Sequence, residues 1–151
     1  MTEIRLLPGL PLTHTPADPA QEAWLLIAEV SALRTGRWMM EAAQVGLTAV
    51  QARALVALNP QVPAKMGVLG SALCIDRASL TELVDQLESR GYVERQASPQ
   101  DRRVKVLAVT AAGVAARERL IEALITPDPA LGRLSGKQLG GIVTALRQVL
   151  A

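Results

Sequence analysis

The chain has 151 residues, 50% of them apolar and 20% charged, and its 16 cations and 14 anions leave a formal net charge of +2. Such a chain is too apolar to be disordered and long enough to bury the core of one domain. A balance of +2 excludes a polybasic binder whose whole surface attracts an anionic polymer, so any such attraction must be local.

Of the cations, 13 are Arg and three are Lys. Arg suits planar, bidentate recognition of phosphates and base edges, although a GC-rich genome would produce the same bias. A single Cys and a single His can build neither a zinc site nor a disulfide, and no cofactor is expected. A Cys–His catalytic pair would have to join His14, in a Pro-rich leader, to Cys74, in an apolar helical stretch. Phosphate-binding glycine loops, HExxH and GxSxG are all absent. No apolar run approaches the roughly 18 residues of a membrane span. The N-terminal LLPGLPL, broken by Pro and preceded by Glu3, is a poor signal peptide, so the cytoplasm is the expected compartment.

Residues 1–19 carry Pro8, Pro11, Pro16 and Pro19 and predict an extended arm. Residues 20–45 lack Pro, are rich in Ala, Leu, Glu and Arg, and predict one long helix. Two apolar stripes run along it, Leu26, Val30 and Leu33 on one side and Trp24, Ile27 and Ala28 on another. A helix apolar on two sides is buried on two sides, and in a small chain a second copy is the nearest cover. Gly46-Leu47-Thr48 breaks the pattern, and Thr48 with Gln51 has capping-box spacing. The next helix, 49–59, turns Val50, Leu55 and Leu58 inward and stops at Asn59-Pro60. After a loop, residues 66–74 predict a short helix softened by Gly67 and Gly70, with Cys74 as a small buried hydrophobe.

Asp76 is a good N-cap for a helix over 77–90. Leu80, Leu83, Val84 and Leu87 form its apolar stripe, and Gly91 closes it. Tyr92-Val93-Glu94-Arg95 and Val104–Val109 are β-type runs, the second with Val104, Val106 and Ala108 on one face. The polar segment between them makes a hairpin. Thr110 caps a helix that ends before Pro127 and Pro129. Ser135 and Gln138 repeat the capping-box spacing, and the last helix aligns Leu139, Ile142, Val143, Leu146 and Leu150.

The order predicts a mainly α fold with a small β-hairpin wing. A short helix, a tight turn and an amphipathic helix make a helix-turn-helix, whose second helix packs by its stripe and offers its other face to the major groove. Between Arg90 and Lys105 five cations face two anions, an excess of three positive charges. This exceeds the total for the whole chain, so the remainder is slightly acidic.

The run DRASLTELVDQLESRGYVERQASPQDRRVKVLAVTAAG resembles the MarR family of bacterial transcription regulators. The matching residues are Leu83-Val84-Asp85-Gln86-Leu87-Glu88, Gly91, Val93-Glu94-Arg95, Asp101-Arg102-Arg103 and Val109-Thr110-Ala111-Ala112-Gly113. The resemblance implies a winged helix-turn-helix with N- and C-terminal dimerisation helices. In its terms residues 1–19 are an arm, 20–45 and 111–151 form the dimer, and 46–110 bind DNA. It also implies a homodimer on a pseudo-palindromic operator of double-stranded DNA, acting as a repressor.

The DNA-contacting candidates are Arg77, Ser79, Thr81 and Gln86 on the recognition helix and Arg95, Arg102, Arg103 and Lys105 on the wing. By resemblance, Arg103 sits near the minor groove and Asp101 holds the wing by pairing with it. Leu26, Val30, Leu139, Ile142 and Leu146 would form the dimer. A small-molecule effector, aromatic in many members, would find only Trp24, Trp38 or Tyr92 to stack against, and the two Trp are the ligand candidates. Their simpler use is packing in the dimer core.

Glu82 departs from the family, which often has a basic or neutral residue there. A carboxylate at that point either accepts from cytosine N4 or weakens phosphate attraction. With Asp85 it also leaves open a winged-helix module that holds a protein partner and binds no DNA.

Overall fold

The first helix, α1 (Pro19–Gln44), has 26 residues and spans about 39 Å at 1.5 Å per residue. In this computed structural model, which describes residues 2–7, 10–98, 101 and 104–151, α1 supports everything that follows. Asp18 starts it by accepting from the Gln21 amide at 2.8 Å. The leader, read as an extended arm, is folded back on itself. Strands β1 (Thr2–Leu7) and β2 (Leu10–His14) pair antiparallel, and β1 lies along α1. Pro11 sits within β2, which is tolerated in an edge strand that need not donate on both sides.

Next come α2 (Ala49–Ala57), a two-residue strand β3 (Ala64–Lys65), α3 (Met66–Leu73) and α4 (Arg77–Ser89). Strands β4 (Val93–Ala97) and β5 (Lys105–Val109) form the hairpin, and β3 joins the free edge of β5 to give a three-stranded antiparallel sheet in the order β3-β5-β4. The chain closes with α5 (Ala111–Ile125), a 3-10 turn at Pro129–Arg133, and α6 (Gly136–Leu150). Among the described residues no helix is long and apolar enough to cross a membrane.

The core is one cluster. Ala42 of α1, Ala52, Ala54 and Leu55 of α2, and Leu69 of α3 meet the α4 stripe of Leu80, Leu83, Val84 and Leu87. Val93 and Leu107 close it from the sheet, and Ala116 and Leu120 close it from α5. The stripe expected on α4 is therefore the one observed. Val50, expected inward, is 45% exposed, and Gln51 takes a buried place instead. The reason is the capping box: the Gln51 side chain turns back to accept from the Thr48 amide at 2.9 Å, which swings that side of the first turn toward the core.

Hydrogen bonds fix α4 and the wing to the rest. Arg90 Nε donates to the carbonyl of Gly46 at 2.7 Å, and the Tyr92 hydroxyl donates to the carbonyl of Val45 at 2.9 Å. The Thr110 amide donates to the Tyr92 carbonyl at 3.1 Å, and the Thr110 hydroxyl donates to the Gly91 carbonyl. The far end of the wing is thus stitched to its beginning.

The C-terminal helix stands apart. No residue of α6 is buried, and Ile142, Val143, Leu146 and Leu150 are 40–85% exposed. The outer stripes of α1 are similarly open, at Trp24, Leu26, Val30 and Leu33.

Candidate nucleic-acid interface

Helix α3 ends at Cys74, which takes a left-handed conformation with φ +55°. The Cys74 amide donates to the Ser71 carbonyl at 3.3 Å and the Ile75 amide to the Gly70 carbonyl at 3.2 Å. This pair of bonds is a Schellman closure, reached here without the usual glycine. It corrects the expectation for Cys74. The reversed residue is exposed, and its neighbours Leu73 and Ile75 pack on the core instead.

Asp76 then starts α4. Its Oδ1 accepts from the amides of Ala78 and Ser79, both at 2.9 Å. Its Oδ2 accepts from the Ser79 hydroxyl at 2.7 Å. The Ser79 amide, and then its hydroxyl, hold the Asp76 carboxyl below its ordinary range, because bonds to a carboxylate favour the charged form. The charge also sits at the positive end of the helix dipole.

With the stripe packed down, α4 presents Arg77, Ser79, Thr81, Glu82 and Asp85 to solvent. The two hydroxyl groups are already used as donors. Ser79 gives its hydrogen to Asp76, and Thr81 gives its own to the Arg77 carbonyl at 2.9 Å. What they offer outward is lone pairs. Gln86, proposed from sequence to reach DNA, is half-buried and bridges two helices: its Oε1 accepts from Gln51 and its Nε2 donates to Glu82 at 3.2 Å.

Arg95 is a second departure. Its guanidinium pairs with Asp85 at 2.6 Å and with Glu88, and its amide donates to Glu88 Oε1 at 3.0 Å. Partial burial alone would lower its pKa. The bond to Asp85 and the charges of Glu88 and Asp85 outweigh that and raise it. The cause lies in the pleat. Val93 is opposite Val109 and Arg95 is opposite Leu107, so Arg95 shares the inward face with the core residues Val93 and Leu107 and meets α4 at its rim. Alternation from Val93, read together with the acids at 85 and 88, is the signal that would have found this. The same register places Leu107 and Val109 on the face packed against the main core cluster, while Val106, on the other face with Ala108, is also buried.

Two of the five cations in the basic segment, Arg90 and Arg95, are therefore engaged within the chain. Lys105 is exposed at the start of β5. Asp101 is exposed and its carbonyl accepts from the Val104 amide at 2.9 Å. Arg102 and Arg103, and with them the pairing of Asp101 with Arg103, lie outside the described residues.

The ligand candidates separate. Trp38 is half-buried, donates to the Ala49 carbonyl at 3.2 Å, and lines a groove of about 360 Å³ between α1 and the end of α5. Val30, Leu33 and Leu124 line it too, with Arg34 and Arg37. Trp24 is 66% exposed and lies outside that lining.

Comparison with known proteins agrees with this geometry. Residues 47–105 match the family model described as MarR family. The HTH-type transcriptional repressor NicR of Pseudomonas putida is 26% identical over 141 residues, which cover 93% of this chain and 89% of that protein. A putative transcriptional regulatory protein for the hcr operon of Thauera aromatica is 33% identical over 96 residues, covering 63% of this chain and 57% of that protein. The crystal structure of the reduced form of MarR from E. coli superposes with a TM-score of 0.71 at 23% identity, covering 83% of this chain and 94% of that one. A variant of MepR from S. aureus bound to an oligodeoxyribonucleotide gives 0.66 at 19% identity, with 85% and 95% covered. Residues 47–105 are thus similar in sequence to the MarR family, and the chain shares the fold of the MarR and MepR structures.

Proposed function

We propose that the chain is a sequence-specific DNA-binding transcription regulator that works as a homodimer and represses by occupying a pseudo-palindromic operator. The observation that carries this reading is α4. It is seated by its whole apolar stripe, its polar face is left to solvent, and an adjoining wing is tied to its C-terminal end by Arg95, which bonds Glu88 and Asp85. The likeness to NicR, a named repressor, and to MepR bound to an oligodeoxyribonucleotide supports the choice of partner. Binding is an equilibrium and needs no catalytic group. A protein that reads the bacterial chromosome works in the cytoplasm.

Residues 46–110 form the reading unit. Residues 20–45 and 111–151 form the dimer through Leu26 and Val30 of α1 and Leu139, Ile142 and Leu146 of α6. Leu26, Val30, Ile142 and Leu146 are 40–65% exposed in the single chain, and covering that remainder contributes roughly half of the 1.5–3 kcal/mol that full burial gives each side chain. DNA contacts come from Arg77, Ser79 and Thr81 of α4 and from Arg102, Arg103 and Lys105 of the wing. A small-molecule effector in the groove beside Trp38 would relieve repression by favouring a dimer whose α4 helices no longer match successive major grooves. The protein-partner alternative loses much of its basis, because Asp85, one of its two acids, is held by Arg95.

Arg103→Ala tests the wing. Operator binding should weaken by about 1–3 kcal/mol while the dimer stays intact, as titration by fluorescence anisotropy and sedimentation would show. Unchanged affinity would remove Arg103 from the interface.

A further inference from the structure

We propose that Glu82 is a specificity-determining residue that selects cytosine in each half-site, by accepting a hydrogen bond from the exocyclic N4 amino group. The inference rests on the DNA-binding reading above. Glu82 lies with Ala78 and Asp85 on the side of α4 opposite Leu80, Val84 and Leu87, and all three are exposed. Of these, Ala78 has no polar atom in its side chain and Asp85 is bonded to Arg95. Glu82 is therefore the carboxylate of that face whose charge no ion pair among the described residues offsets.

Its carboxylate is held in place from within the core. Gln51 Oε1 is occupied by the Thr48 amide, so the buried Gln51 side chain turns its Nε2 toward α4. There it donates to Gln86 Oε1, which leaves Gln86 Nε2 pointing outward. That group needs an acceptor and finds Glu82 Oε1 at 3.2 Å. Donor and acceptor alternate along the relay, and it ends on a carboxylate with a second oxygen free to accept. A side chain fixed in this way loses little rotamer freedom on binding.

An anionic group brought between two phosphate backbones is repelled unless it meets a donor. In the major groove the donors are the amino groups of cytosine and adenine. Adenine places its N7 acceptor beside that amino group, and a carboxylate there would face a second lone pair. Cytosine carries no acceptor on that edge. Ser79 and Thr81, whose hydrogens are used within the chain, add further lone pairs, so the part of the α4 face around Glu82 favours donor-rich edges.

The test selects fragments from random DNA with the full chain, then titrates the selected site and single-position variants of it. Wild type should show cytosine at one fixed position per half-site and should lose about tenfold in affinity when that C·G pair becomes T·A. Glu82→Ala should bind both sites equally well, and Glu82→Gln should move the preference to adenine, the usual partner of a carboxamide. A cytosine preference that survives in Glu82→Ala overturns the proposal. So does a Glu82→Ala protein that binds all sequences more tightly by one common factor, since Glu82 would then only repel phosphate. If wild type shows no salt-sensitive binding to any fragment, the DNA-binding reading itself fails and this inference fails with it. That outcome is distinct from the other two.

Discussion

Removal of residues 127–151 should turn the dimer into a monomer while leaving the winged helix folded. The deleted segment holds the 3-10 turn and α6, and neither supplies a buried residue. The core cluster extends no further along the chain than Leu120 of α5, so thermal unfolding of the remainder should stay cooperative. What is lost is the stripe of Ile142, Val143, Leu146 and Leu150, all at least 40% exposed in one chain. Burial of such a stripe against a second copy is a major source of association energy, at roughly 25 cal/mol per Å². A monomer has one α4 and can hold only one half-site. It forfeits the effective concentration that links the two, which is worth about 100-fold or more in affinity. Sedimentation and operator titration of the shortened chain read both effects. A stable dimer lacking these residues would show that α1 and α5 join the copies without α6.

Gly113→Ala should destabilise the fold by about 3 kcal/mol or more, within or above the range for overpacked cores. At an ordinary helical position the same change is stabilising by about 1 kcal/mol. Here the added Cβ would lie 1.9 Å from the carbonyl oxygen of Tyr92 and 2.8 Å from Cγ1 of Val109. The first of these is backbone and cannot rotate away. That carbonyl also accepts from the Thr110 amide, and the Thr110 hydroxyl accepts from the Gly113 amide at 3.0 Å. Any shift of α5 to relieve the clash therefore loosens the junction that closes the wing. Urea unfolding measures the change. Equal or increased stability would mean that α5 can move off the sheet at little cost. The Thr-x-x-Gly spacing of this turn thus has a steric origin: Thr caps the helix, and only glycine lets the helix sit against the strand connection.

The elements fixed by local chemistry were legible in the chain. The α4 stripe at 80, 83, 84 and 87 is buried as its spacing requires, and the Thr48–Gln51 and Ser135–Gln138 boxes form as spaced. Side chains whose roles depend on partners distant in sequence were less legible. Arg95 looked like a free cation because its acids lie seven and ten residues back, on a helix rather than on the hairpin. Gln86 looked like a base reader because its partner Gln51 is 35 residues away. Strand β3 has two residues and shows no periodicity; the edge of β5 makes it a strand. Cys74 looked buried because apolar neighbours surround it in sequence, whereas a left-handed turn reverses its direction. The expected positive charge of the wing is correspondingly narrower among the described residues, since Arg90 and Arg95 are bonded within the chain and Lys105 is the exposed cation of β5.

The central claim is that a dimer of this chain reads DNA through α4 and the wing. The most direct measurement titrates the full chain against a selected fragment at rising salt, with stoichiometry read at saturation. The account predicts two chains per fragment and a plot of log K against log salt that falls linearly, by about 0.9 for each phosphate neutralised. It also predicts affinity for the selected fragment about 1,000-fold or more above that for random DNA. Binding that ignores salt, or equal affinity for selected and random fragments, would contradict it.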